Sequence, residues 1–79
     1  MPRFFIHSRD RVGLFEDREG SEWPDFDAAR SEALASAREL LAEQLKMNQT
    51  DGIEQLEICD ASGHMLATVP LRDVLKSAF

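Results

Sequence analysis

The 79 residues are 43% hydrophobic and 30% charged, with Lys+Arg 9 against Asp+Glu 15 and a formal net charge of −6. That composition excludes a disordered tail, a collagen-like repeat and a low-complexity segment, and the length fits one small domain. The acidic balance argues against a nucleic-acid partner, whose phosphates call for Lys and Arg, and against an anionic membrane surface.

In chain order, Arg3 to His7 reads as a strand with Phe4 and Ile6 on one side and Arg3, Phe5 and His7 on the other. Ser8-Arg9-Asp10-Arg11 is a polar interruption, and Val12 to Phe15 resumes the apolar pattern, so residues 3–16 are expected to form a β-hairpin. Glu16 to Asp27 is acidic and punctuated by Gly20 and Pro24, which makes it a loop. Asp25 is placed to cap a helix running from about Phe26 to Met47. Phe26, Ala29, Ala33, Leu34, Ala37, Leu40, Leu41 and Leu45 share its apolar stripe, and the three alanines let it lie close on a sheet. Arg30 and Gln44 are polar intrusions on that side.

Asn48 to Gly52 ends the helix. Glu54 to Asp60 is the third expected strand, with Leu56 and Ile58 inward and Gln55, Glu57 and Cys59 outward. Asp60-Ala61-Ser62-Gly63 fits a tight turn with Gly63 left-handed, and Met65 to Val69 is the fourth strand. Pro70 opens a short last helix with Leu71, Val74, Leu75 and Ala78 at helical spacing. The expectation is a single α+β domain over residues 1–79: a four-stranded antiparallel sheet in ββαββ order, one long helix across one face, and a short C-terminal helix.

The run Arg3-Phe4-Phe5-Ile6-His7, the turn Asp17 to Gly20, the segment Ala28-Ala29 with Glu32-Ala33, and the ending Asp60, Gly63, Leu66, Val69, Pro70, Leu71, Asp73 resemble a family of small uncharacterised bacterial proteins. That family's pattern is an R-Y/F-F-F-H strand, a D-x-x-G turn and an A-A-x-x-E-A helix. Ile6, Arg11 and Leu71 depart from it. The resemblance implies no activity. Pro24-Asp25 before an Ala/Glu-rich helix is more loosely similar to HicB-like antitoxin domains, which implies a protein-binding module.

The chemistry-bearing residues are few. His7, Cys59 and His64 could converge on a metal if the first and third strands are neighbours; a hydrogen-bonded strand histidine is the plainer reading. Counting an EF-hand loop from Asp17 puts Glu22 where Gly is required, so that pattern fails, and Asp17 with Gly20 fits an Asx turn instead. No G-x-S-x-G, C-x-x-C, P-loop or G-x-G-x-x-G occurs, so no catalysis and no cofactor are expected. One cysteine makes no intramolecular disulfide and suits a reducing cytoplasm. No apolar run reaches signal-peptide or membrane-span length.

The leading expectation is a non-enzymatic, cytoplasmic protein-interaction module, paired with itself as a homodimer or with another protein. It would act through a sheet edge or through a face carrying Phe5 and Phe15, with Trp23 as a third contact residue or, alternatively, a cap on the core. The alternatives are a small ligand- or metal-binding regulator using His7, Cys59 and His64, and nucleic-acid binding through Arg3, Arg9, Arg11 and Arg18.

Overall fold

The computed structural model describes residues 1–49 and 52–77, with side chains described as far as residue 74. The elements are β1 (Arg3–Arg9), β2 (Leu14–Phe15), β3 (Ser21–Glu22), α1 (Phe26–Lys46), β4 (Gln55–Asp60), β5 (Met65–Pro70) and α2 (Leu71–Ser77). The sheet is antiparallel with 5 strands, in the order β2-β1-β4-β5, and β3 pairs the same strand as β2. The expected four strands in ββαββ order are therefore corrected to five. The addition is β3, a two-residue ladder in the acidic loop, where Arg3 faces Glu22 and Phe4 faces Ser21.

The first hairpin turns two residues later than its sequence suggests. Asp10 N–H donates to the Gly13 carbonyl at 3.0 Å. The Asp10 carboxylate accepts from the N–H groups of Val12 and Gly13 at 2.8 and 2.9 Å. This Asx-type turn fits Asp10 better than a strand does. Strand β1 thus extends to Arg9, and Val12 sits at the turn, 94% exposed.

Helix α1 begins where Asp25 accepts from Ala28 N–H at 2.9 Å and ends with Met47 N–H on the Glu43 carbonyl at 2.9 Å. Ala29, Ala33 and Ala37 have no exposed surface, so the helix backbone rides directly on the sheet. They pack with Phe4, Leu56, Ile58, Val69, Leu71 and Val74. Leu45, expected on the apolar stripe, is exposed near the helix end. Gln44 donates to the Ile53 carbonyl at 3.2 Å, which explains its place on the apolar side. Leu71 and Val74 seat α2 on the same core, on the same side of the sheet as α1. The side chain of Leu75, and Ala78, lie outside the described residues.

The β2/β3 side of β1 is closed by one residue. Between the two short ladders, the Asp17 carboxylate accepts from Ile6 N–H at 3.2 Å and from Gly20 N–H at 3.0 Å. Asp17 N–H in turn donates to His7 Nδ1 at 2.9 Å. Gly20 has φ +67 and lies where a Cβ would stand 2.8 Å from the Phe4 carbonyl oxygen and from a Phe5 ring carbon. Only glycine fits both the conformation and the space. The D-x-x-G turn is thus an edge plug.

Candidate interaction surface

Register assigns the second face. Phe5, His7 and Arg9 stand opposite Cys59, Glu57 and Gln55, while Phe4, Ile6 and Ser8 stand opposite Asp60, Ile58 and Leu56 on the helix side. Thr68 extends the second face from β5, opposite Glu57. Both helices pack on the other side, so neither covers this face.

Its centre is polar and self-satisfied. Glu57 is 6% exposed in the central strand. Its carboxylate accepts from Arg9 Nε at 2.5 Å and from Gln55 Nε2 at 2.7 Å. The bond from Arg9 holds the Glu57 carboxyl below its ordinary range despite burial, and the same bond raises Arg9. One end of the face is apolar: Phe5 stacks on His7 with centroids 6.4 Å apart, and Cys59 is buried, its thiol pushed up by desolvation.

Several expected groupings are separated. Phe15 pairs with Ser8, so it lies on the helix-side face and not beside Phe5; its 60% exposure comes from sitting beyond the helices' cover. Trp23 is partly buried against the core, 6.4 Å from the Phe4 ring between centroids. His7 and Cys59 do share the open face, because β1 and β4 are neighbours. His64 sits at the β4–β5 turn, 78% exposed, with Nδ1 3.5 Å from the Asp60 carboxylate. Among the described residues, no three His, Cys, Asp or Glu form a group that could hold a metal ion. Of the hairpin arginines, Arg9 is paired with Glu57, and Arg3 donates to the Glu19 carbonyl at 2.8 Å and lies 3.7 Å from Glu22. Carboxylates therefore compete with any phosphate for these two.

A groove of about 450 Å³ opens between α1 and the β4–α2 corner. Leu41 and Ile53 form its apolar wall, and Glu54, Gln55 and Arg72 supply polar groups.

The feature that sequence reasoning could not locate is the free edge. Among the described residues, strand β5 pairs only with β4. Backbone groups in an antiparallel strand alternate sides residue by residue. Leu71 N–H donates to the Glu54 carbonyl at 2.9 Å, so Val69 and Ala67 also face β4 and Thr68 faces outward; on the other side of the register shift Asp60 N–H donates to the His64 carbonyl at 3.0 Å, so Leu66 faces β4 and Met65 faces outward. The same alternation follows from β1. Ile6 N–H points away from β4 toward Asp17, which leaves Leu56 and Ile58 to bond Val69 and Ala67. The register shift at Ile58/Cys59 interrupts the edge at Leu66, and Pro70, which has no N–H, ends it. Met65 and Leu66 are 58% and 43% exposed along it.

No helix among the described residues is long and apolar enough to cross a membrane. No curated protein and no solved structure matches the chain. The looser HicB likeness finds no support in these comparisons. The family pattern does, over residues 3–72, a span that includes the edge plug, the sheet and the start of α2. The chain belongs to the domain of unknown function family DUF6894.

Proposed function

We propose that this protein is a non-enzymatic association module of the reducing cytoplasm that accepts a partner strand on the outer edge of β5. The observation that carries the reading is the asymmetry between the two sheet edges. The β1 edge is closed by two short ladders and the Asp17 plug, whereas the β5 edge keeps outward backbone groups at Met65 and Thr68. Unpaired edges are sites of strand addition, and backbone hydrogen bonds supply much of such an interface. The partner strand would come from a second copy of the chain or from another protein.

Position-resolved photo-crosslinking in cells tests this. A crosslinking residue in place of Leu66 is expected to give a discrete adduct, while one in place of Ala35, exposed on α1, gives none. Equal labelling from both positions, or none from position 66, would contradict the reading.

A further inference from the structure

Resting on that reading, we infer that the occupant of the β5 edge is an extended segment of a different protein, with an aliphatic residue between an acidic and a basic one on its helix-side face. The starting observation is a pocket of about 120 Å³ beside the edge. Leu34 of α1, Val69 of β5 and Val74 of α2 give it an apolar lining, and Thr68 and Pro70 border it along the strand. Arg30 of α1 and Asp73 of α2 line it as well, one charge of each sign. Both are exposed, and among the described residues neither forms an ion pair. Arg30 is the polar intrusion on the apolar stripe of α1, and the fold itself pairs its charge with no carboxylate among those residues.

Strand addition carries a side chain to this pocket. Thr68 turns its N–H and carbonyl outward, so an added antiparallel strand bonds there. Residues directly opposite in such a pair share a face. Val69 belongs to the core under the helices, so the partner residue opposite it stands on the helix side, beside Leu34 and Val74. The partner residues two before and two after share that face and flank it. The backbone bonds supply affinity, and the pocket supplies the selection. Its apolar lining takes an aliphatic side chain, and the flanking pair answers Arg30 and Asp73 with opposite signs. A second copy of β5 lacks both features. Residues 61–71 contain no Asp, Glu, Lys or Arg, so a copy brings no charge to either helix. A twofold axis at Thr68 sets Ala67 of the copy opposite Val69, and one methyl group leaves most of the pocket empty.

A phage-displayed library of short random peptides, selected on the immobilised full chain, tests the inference. The selected peptides are expected to share an aliphatic residue with an acidic residue two positions to one side and a basic residue two positions to the other. In synthetic versions, measured by fluorescence anisotropy, glycine in place of the aliphatic residue should weaken binding at least tenfold. Arg30→Glu, at an exposed helix site, should turn the acidic preference into a basic one. Thr68→Pro, which removes an outward donor from an exposed edge position, should abolish binding. Circular dichroism melts confirm that both variants fold. A selection that enriches no peptide, or peptides indifferent to the glycine replacement and to Arg30→Glu, would overturn the inference. If peptides without the pattern bind and are lost with Thr68→Pro, the pocket is wrong and the edge is right. If patterned peptides bind Thr68→Pro as well as the parent, the edge reading falls with it. A purified chain whose mass by light scattering rises from 8.9 kDa toward twice that value, but not with Thr68→Pro, would make the second copy the occupant and refute a different protein.

Discussion

Replacing Ala33 by leucine tests how the helix is seated. Ala29, Ala33 and Ala37 are fully buried, so the helix approaches Leu56 and Ile58 with only methyl groups between. A leucine at 33 adds three carbons where no space exists, and α1 must lift or shift to admit them. Overpacking of this kind costs about 1–3 kcal/mol. A 79-residue domain has roughly 4–12 kcal/mol in total, so the loss is a large share. At about 4–8 °C per kcal/mol for a domain of this size, the melting temperature should fall by about 5–20 °C. Ala35→Leu, two residues on and exposed, serves as the control and should stay within about 0.5 kcal/mol of the parent. Thermal and urea melts followed by circular dichroism read both. If Ala33→Leu melted with Ala35→Leu, the close approach of helix to sheet would be wrong.

Other positions give sharper local tests. Gly20→Ala must hold a left-handed residue against the Phe4 carbonyl and the Phe5 ring; the conformation alone costs about 1–2 kcal/mol, so a urea midpoint equal to the parent's would refute the tight plug. Asp17→Ala strips the acceptor from two N–H groups and should cost about 1–3 kcal/mol, while Glu19→Ala, which contributes only its carbonyl, should be near neutral in the same melts. Glu57→Gln should reshape the acid limb of stability. Arg9 lowers the folded-state pKa of Glu57 beneath its unfolded value. The stabilisation is therefore present above the unfolded value and is lost as pH falls through the folded one. The melting difference between parent and variant should shrink from pH 7 into the acid range below the usual carboxylate values. A difference independent of pH would show that the pair does not act through charge.

The parts of this fold legible in the sequence are those set by local chemistry. Asp25 as N-cap, the Asp17–Gly20 turn, left-handed Gly63 and the inward pair Leu56 and Ile58 each depend on a few neighbouring residues. The missed features depend on partners distant in sequence. Ser21 and Glu22 form a strand only because Arg3 and Phe4 lie beside them, and two polar residues carry no period to detect. Phe5 and Phe15 lie on opposite faces because alternation within each strand does not relate the strands; turn length does, and the Asp10 turn sets Phe15 against Ser8. Glu57 has an ordinary outward place in its strand, and its burial arises from Arg9, 48 residues away, and from Gln55. The free edge follows from the β1–β4 pairing, which no short pattern encodes.

Amide hydrogen exchange resolved by residue, at low and high protein concentration, addresses the open edge most directly. Ala67 and Val69, whose N–H groups face β4, should be protected at both concentrations. Met65 and Thr68 should exchange freely in dilute solution and become protected together as the β5 edge is occupied. Protection of Met65 and Thr68 already at the lowest concentration in a monomer, or free exchange at every concentration and with every partner, would contradict an edge built for association.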